Sequence, residues 1–294
     1  MNRKLSWKLV KSIREHALRQ GEEIASLMDF VSPPIDLFKI IDSEPNLYAE
    51  GADFGDVFDG RLEYVGPRFL LAFNTKYDQW NHSGKHHPKV RFTIGHELGH
   101  YYLEDHRLYL QQGGKSHPCF TEFQSDPYVE QQADCFAAGL LMPSFLLVHR
   151  VNREDEPTLG IIKNIAKELE VSLTSMMVRW TLLSDFPCAT ISVSANGINW
   201  GWLSEGFKRA GGYRVRCNKK VLSEDAQKFI KTDLNFSRYR EGHGLGLAHQ
   251  WIDFELSNIS VKEFYAVIPY THQTLVFITA AEDELVDHYY DDLY

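Results

Sequence analysis

The residues best suited to chemistry lie in one short segment, His96-Glu97-Leu98-Gly99-His100. Residues four apart on an α-helix project in nearly the same direction, so His96 and His100 can bind one metal ion. Glu97 lies about 100° further round the helix axis than His96, which lets its carboxylate reach a water on that ion without binding the ion itself. This H-E-x-x-H spacing is typical of zinc hydrolases, in which the glutamate takes a proton from the attacking water.

A catalytic zinc needs a third protein ligand and one open position, and three residues compete for the third place. His106 has the spacing of the metzincin pattern, but that pattern needs a glycine where this chain has Leu103. Glu122 is followed four residues later by Asp126, although Pro127 predicts that a helix begins only after both of them.

Glu130 is the favoured third ligand because Asp134 follows it by one turn inside a predicted helix. A glutamate and an aspartate at this spacing after H-E-x-x-H form the gluzincin arrangement. In that arrangement the glutamate completes the metal sphere, and the aspartate accepts the N–H of a ligand histidine and fixes its tautomer. The sequence therefore favours Glu130, with His106 and Glu122 as open alternatives.

Two segments of the chain carry a resemblance to a known family. They are Arg91-Phe92-Thr93-Ile94-Gly95-His96-Glu97-Leu98-Gly99-His100-Tyr101 and Glu130-Gln131-Gln132-Ala133-Asp134-Cys135-Phe136-Ala137-Ala138, the latter continuing to Leu140-Leu141-Met142-Pro143. Over residues 60–145 the chain resembles the ImmA/IrrE family of zinc peptidases. The strand at 70–74 also fits, since it ends in an asparagine that the family often has. Where the family more often has asparagine this chain has Asp134, which strengthens the role of orienting a histidine.

The resemblance implies both the metal and the mechanism. Zn²⁺ on His96, His100 and Glu130 would lower the pKa of its water towards about 7. Glu97 would take that proton and later pass it to the leaving amine as general base and acid. A further hydrogen-bond donor to the oxyanion is expected, for which the candidates are Tyr128, His117 and Tyr102.

The resemblance also implies the class of substrate. Members of the family are regulatory peptidases that cleave one protein partner, often a helix-turn-helix repressor, in response to stress or mobile-element cues. The strand at 68–73 is a candidate for pairing with an extended substrate by strand addition. The segment 111–126 contains Gly-Gly, Pro118 and polar residues, which predicts a loop long enough to act as a lid.

Hydrophobic periodicity predicts the elements that position these side chains. The predicted elements are helices over 4–30, 91–105 and 127–142, strands over 61–65 and 68–73, and a loop over 50–60. Gly66-Pro67 separates the two strands and indicates a hairpin. Pro127 occupies the first position of the third helix, and Pro143 ends it.

The whole pattern predicts an α+β protein in three parts. They are a metallopeptidase domain with a small sheet over 1–150, a helical segment over 151–184 and a small mixed α/β domain over 185–294. The helical stretches near 159–169 and 172–184 resemble a helix-turn-helix, but the second offers only Arg179 as a charged reader of bases. Longer members of the family carry a GAF-like sensory domain at this end. Residues 241–249 are rich in glycine, match no phosphate-binding motif and are interpreted as a turn.

Composition limits the class of protein. The chain has 294 residues and a net charge of −9, which disfavours a protein that coats nucleic acid, because that function needs a basic surface. The basic face of helix 4–30 is interpreted as a solvated surface. No signal peptide or membrane-spanning apolar run is found, and the 4 cysteines are interpreted as reduced thiols. We therefore expect a soluble, cytoplasmic protein.

Two other functions are compatible with these residues. One is a regulatory or docking module that keeps zinc without cutting, which a side chain blocking the fourth metal position would favour. The other is a DNA-binding regulator acting through residues 159–183 and the basic face of the first helix. Hydrolysis is favoured over both because H-E-x-x-H places a glutamate beside two metal-binding histidines.

Overall fold

Helices and sheets both occur among the described residues, which confirms the predicted α+β fold class, and the chain divides into two units. A computed structural model describes residues 6–81, 83–114, 127–153, 157–233, 235–254 and 259–281. Unit 1 comprises Met1–Leu146 and Ala166–Ser172, and unit 2 comprises Leu147–Ile165 and Leu173–Tyr294. The division into 1–150, 151–184 and 185–294 stays a prediction, as does the GAF-like character of the last part.

The first half of the chain supplies six α-helices and three strands in its described residues. They are α1 (Trp7–Leu27), α2 (Leu37–Ser43), β1 (Leu47–Ala52), β2 (Gly60–Val65), β3 (Arg68–Asn74), α3 (Pro88–Tyr102), α4 (Glu104–Gln111), α5 (Pro127–Leu141) and α6 (Ser144–Val151). The predicted hairpin corresponds to β2 and β3. The predicted helices at 4–30 and 127–142 correspond to α1 and α5 within the described residues.

The three strands of unit 1 form a sheet in the order β1-β3-β2. β1 runs parallel to β3 and β2 runs antiparallel to it. β3 is therefore the central strand with both edges occupied, and the interpretation that it pairs with an extended substrate is wrong. The loop predicted over 50–60 is wrong at both ends, because pairing with β3 carries β1 as far as Ala52 and makes Gly60 the first residue of β2.

The helix predicted over 91–105 is split in the structure. α3 begins earlier, at Pro88, a first-turn position where the missing N–H is not needed. It ends at Tyr102, and Leu103 adopts extended backbone angles (φ −68°, ψ 114°) before α4 begins. His106 consequently lies on a different helix from the H-E-x-x-H residues.

α5 packs against both α1 and α3, and glycines let the helices approach closely. Where α1 crosses α5, a Cβ atom added to Gly139 would lie 2.0 Å from the carbonyl oxygen of Leu18. Where α3 crosses it, a Cβ added to Gly99 would lie 3.0 Å from Ala133 Cα. Contacts this close between backbones fix the position of α5 along both neighbours.

Gly139→Ala is expected to lower the free energy of unfolding by about 1–3 kcal/mol, because the added methyl group overlaps a backbone carbonyl that moves only with α1. Gly160→Ala, in the other unit, is the control. The nearest described atom to a Cβ there is the Thr158 hydroxyl oxygen, at 3.8 Å, so this change should be neutral or stabilising. Urea unfolding measures both variants, and an unchanged midpoint for Gly139→Ala would contradict the packing argument.

The second half of the chain supplies four further helices and seven strands in its described residues. They are α7 (Leu159–Leu169), α8 (Leu173–Leu183), β4 (Cys188–Ser194), β5 (Gly197–Leu203), α9 (Glu205–Arg209), β6 (Arg214–Val215), α10 (Glu224–Lys231), β7 (Glu241–Leu247), β8 (Ile252–Asp253), β9 (Ser260–Ile268) and β10 (Gln273–Thr279). Five of the strands form an antiparallel sheet in the order β5-β4-β10-β9-β7, and β6 pairs with β8. One face of the sheet carries an apolar cluster that includes Ile191, Trp251 and Val276.

α8 lies on β4, where the hydroxyls of Thr181 and Thr190 are 2.8 Å apart. The helices predicted near 159–169 and 172–184 are confirmed as α7 and α8. Trp180 is buried in α8, as expected for packing, but Arg179 is buried too, with only 4% of its surface exposed. Reading bases needs an exposed side chain, so the burial of Arg179 disfavours α8 as a recognition helix.

The glycine-rich tract interpreted as a turn is a strand instead, because β7 pairs with β9 at the edge of the sheet. Its glycines alternate with outward-facing residues, and a Cβ added to Gly246 would lie 2.0 Å from the Glu263 carboxylate. Glycine thus makes room for Glu263, which is fully buried. That carboxylate accepts hydrogen bonds from the side chains of Ser223 (2.7 Å), Trp251 (2.6 Å) and Tyr265.

No single described helix is long and apolar enough to cross a membrane. The pair Tyr128–Leu141 and Ser144–Val151 reaches the length and hydropathy of a span only when the two are taken together, and a bend of 69° separates them.

Candidate metal centre

The candidate metal centre lies where α3 and α5 pack together. His96 and His100 are one turn apart on α3, and Glu130 is in the first turn of α5. The close contact between Gly99 and Ala133 brings that turn against the two histidines. The three side chains offer ligand atoms that all lie within 4.8 Å of one another.

The distances among these atoms fit one ion. His96 Nε2 lies 3.1 Å from His100 Nε2 and 3.2 Å from Glu130 Oε2, and His100 Nε2 lies 3.8 Å from Glu130 Oε1. Ligand atoms held about 2.1 Å from a tetrahedral ion are about 3.4 Å apart, which falls within that range. Two imidazole nitrogens and a carboxylate are also a donor set of catalytic zinc sites.

Asp134 contacts His96 on the side away from the ligand atoms. Its Oδ1 lies 2.8 Å from His96 Nδ1. An ionised carboxylate can only accept, so Nδ1 carries the ring proton and Nε2 keeps its lone pair for a metal. The contact arises because Asp134 lies one turn after Glu130 on the same helix.

His106, an open alternative as third ligand, lies behind His100. Its Nδ1 is 3.0 Å from His100 Nδ1, whereas His100 Nε2 faces the other ligand atoms. Burial lowers the pKa of His106 to about 4. An imidazole in this place contacts the ring of His100, and the group of converging ligand atoms found among the described residues is that of His96, His100 and Glu130. The other alternative, Glu122, lies outside the described residues together with Asp126.

Glu97, which follows His96 in the sequence, is completely buried. It lines a cavity of about 520 Å³ together with His100 and His106. The other described residues that line it are Leu62, Asp105, Tyr109, Leu110, Val129 and Gln132. A carboxylate here can accept a proton from a water held next to the ligand atoms, and the cavity leaves space for a substrate.

The three candidate oxyanion donors do not all lie at the cavity that Glu97 lines. The hydroxyl of Tyr102 donates to Glu44 at 2.7 Å, and neither residue lines the cavity. Burial, reinforced by this hydrogen bond, raises the pKa of Tyr102. Tyr128 is half-buried in the first turn of α5, close in sequence to Glu130. His117 and most of the predicted lid, 115–126, lie outside the described residues.

Residues 81–181 match the model of a peptidase family described as IrrE N-terminal-like domain. This chain carries an IrrE N-terminal-like domain. The matched span includes His96, His100 and Glu130, and it confirms the resemblance to the ImmA/IrrE family that the sequence motifs indicate. No curated protein matches the chain.

A solved structure with a similar fold is that of a Mycobacterium tuberculosis transcriptional regulator. It aligns with a TM-score of 0.53 over 92% of this chain and 81% of that one, at 12% identity. An identity this low shows the fold alone. Because 92% of the chain is covered, the shared fold extends beyond the IrrE N-terminal-like domain into the C-terminal part.

The candidate metal centre also depends on Gly60, which no motif in the sequence marks and which lies outside the matched residues 81–181. A Cβ added to this first residue of β2 would lie 2.6 Å from Glu97 Oε1 and 2.5 Å from Thr93 Cγ2. Glycine therefore leaves the space that the Glu97 carboxylate occupies. The sequence pattern places Gly60 at the end of the predicted loop over 50–60. Only the structure reveals it as a glycine at a strand position, which often indicates a close approach by another group.

Gly60→Ala is expected to lower kcat/KM for peptide hydrolysis about 100-fold, since the added Cβ displaces the Glu97 carboxylate. Metal content should be unchanged, because the three atoms nearest to the new methyl group belong to Thr93 and Glu97, and neither residue is a proposed metal ligand. Gly66→Ala, in the same hairpin, is the matched control, as no described atom lies within 4 Å of its Cβ. Equal rates for the two variants would show that Gly60 does not position Glu97.

Proposed function

We propose that this chain is a zinc-dependent metallopeptidase that cleaves a specific protein partner, such as a helix-turn-helix repressor, and so regulates transcription. The observation that supports this best is the convergence of His96, His100 and Glu130 beside the buried carboxylate of Glu97. The IrrE N-terminal-like domain supports a peptidase, and the name of the similar structure supports a regulatory role.

In the proposed mechanism His96, His100 and Glu130 hold the ion. When bound, zinc polarises the scissile carbonyl and acidifies the attacking water. Glu97 accepts the proton of that water and passes it to the leaving amine. Asp134 keeps His96 in the tautomer that leaves Nε2 free of a proton.

The substrate is proposed to lie along β2. This strand is an edge of the described sheet, and its Leu62 lines the cavity beside Glu97. An extended peptide can add to such an edge through main-chain hydrogen bonds, with its side chains entering adjacent pockets. The proposed location replaces β3, which has a neighbouring strand on each side.

The cavity favours hydrolysis over a module that keeps zinc without cutting. That alternative needs a protein side chain in the fourth metal position. The described residues instead leave about 520 Å³ of space beside His100 and Glu97. The DNA-binding alternative is disfavoured by the burial of Arg179.

Metal analysis tests the proposed function. Protein purified without a histidine tag and reconstituted with zinc should retain about one zinc per chain after desalting. Equimolar manganese or iron(II) should not displace it, because nitrogen-rich sites bind zinc more tightly than either ion. Failure to retain any metal would contradict the metallopeptidase, and a preference for manganese or iron would contradict zinc.

A further inference from the structure

The metal-binding group imposes a direction on the hydrogen bond between His100 and His106. His100 Nε2 faces His96 and Glu130, so Nε2 would hold the metal and Nδ1 would carry the single proton of the ring. That proton points at His106 Nδ1, 3.0 Å away, which must therefore accept it. A neutral imidazole that accepts at Nδ1 carries its own proton on Nε2.

His106 Nε2 is thereby a hydrogen-bond donor, and it is buried. The residue is only 7% exposed, and within the described part of the chain Nε2 has no hydrogen-bond partner. His106 lines the same cavity as Glu97 and His100. Burying an N–H without an acceptor is unfavourable, so a donor in this position suits a ligand that brings an acceptor with it.

The cavity suits the part of a peptide next to the scissile bond, for whose hydrolysis Glu97 is the proposed general base. Leu62, Leu110 and Val129 give it apolar walls, on which aliphatic parts of a substrate can pack. Every peptide carries main-chain carbonyl oxygens, whatever its side chains, and these are hydrogen-bond acceptors. A fixed N–H on the wall can therefore orient any peptide that enters.

We propose that His106 is both a positioning residue and a substrate-binding residue. Through Nδ1 it holds the ring of His100, and through Nε2 it donates a hydrogen bond to a carbonyl oxygen of the bound peptide. The inference rests on the proposed metallopeptidase function. In this arrangement the donor, His106 Nε2, depends on the proposed metal ligand His100. The proton on His100 Nδ1 decides which nitrogen of His106 carries a proton.

Three variants separate the two contacts. The amide of asparagine lies where Nδ1 of histidine does, so His106→Asn keeps an acceptor for His100 and removes the donor to the cavity. The amide of glutamine reaches the position of Nε2, so His106→Gln keeps the cavity donor and removes the acceptor. His106→Phe removes both contacts and keeps a ring of similar volume.

Two binding measurements report the two roles without needing a turnover assay. Zinc affinity is measured by competition with a chromophoric chelator. Cavity binding is measured on zinc-loaded protein as the affinity for acetyl-Ala-Ala hydroxamate relative to acetohydroxamate, which has no further peptide carbonyl to offer. A thermal melt of each zinc-free variant first shows that it is folded.

We expect His106→Gln and His106→Phe to lower zinc affinity about 10- to 100-fold, and His106→Asn to keep it. We expect His106→Asn and His106→Phe to bind the dipeptide hydroxamate about 10-fold more weakly, with the affinity for acetohydroxamate unchanged.

Wild-type zinc affinity in His106→Gln and His106→Phe would overturn the role towards His100. An unchanged ratio of the two hydroxamate affinities in His106→Asn would overturn the role towards the substrate. Wild-type protein that holds no zinc would contradict the proposed function itself, so the two failures are distinguishable.

Discussion

Glu97→Gln protein is expected to bind zinc as the wild type does but to hydrolyse peptides about 100- to 10,000-fold more slowly. The amide has the shape of the carboxylate and fits the same buried space, but it cannot take the proton of the attacking water. Zinc should stay bound because the converging ligand atoms belong to His96, His100 and Glu130. Loss of turnover with metal retained is the signature of a general base.

The rate can be measured before the protein partner is known. A peptide library made by digesting whole-cell protein, read by mass spectrometry, supplies a substrate on which the wild type and Glu97→Gln can be compared. Glu104→Gln is the matched control, since Glu104 is an exposed glutamate at the start of α4. Cleavage of the same bonds at wild-type rates by Glu97→Gln would rule out the proposed role of Glu97.

Glu130→Ala is expected to lose zinc, because it removes one of the three converging side chains and leaves only the two histidines. Asp134→Asn should have a smaller effect, about 10- to 100-fold in zinc affinity, since it weakens only the contact that orients His96. Elemental analysis after desalting, followed by a zinc titration, ranks the two variants against the wild type.

The ranking also decides the identity of the third ligand. Glu104→Ala again provides the control and should keep wild-type zinc content. If Glu130→Ala kept its zinc while His106→Asn lost it, the third ligand would be His106, and the placement of His106 behind His100 would be wrong. If both kept zinc, neither residue would be the third ligand.

The local part of the site could be predicted from the sequence. His96 and His100 meet because residues four apart share a helical face, and Asp134 reaches His96 because it lies one turn after Glu130. The shared face of His96 and His100 depends only on the geometry of α3, and that of Glu130 and Asp134 only on the geometry of α5. Asp134 reaches His96 only because α5 also packs against α3. The resemblance to the ImmA/IrrE family depends on the same short segments and was confirmed over residues 81–181.

The rest could not be predicted, because it depends on packing between distant parts of the chain. Gly60 matters only because β2 passes against α3 and puts its backbone next to Glu97. The central position of β3 follows from the order of the strands, which periodicity does not report. Taken from the sequence alone, the glycines of β7 favour a turn. They fit a strand in the structure because neighbouring side chains fill the space beside them, as Glu263 does at Gly246.

The contact between α1 and α5 gives zinc an influence well away from its ligands. Gly139 seats α5 on the backbone of α1 at Leu18, and the same α5 carries Glu130. Coupling free energies are reciprocal. If the packing of α1 against α5 raises the affinity for zinc, bound zinc must stabilise α1 against local opening by the same free energy. The amide hydrogens of α1 should accordingly exchange more slowly with solvent when the protein is loaded with zinc. Loss of the metal would then loosen α1 as well as stop the reaction.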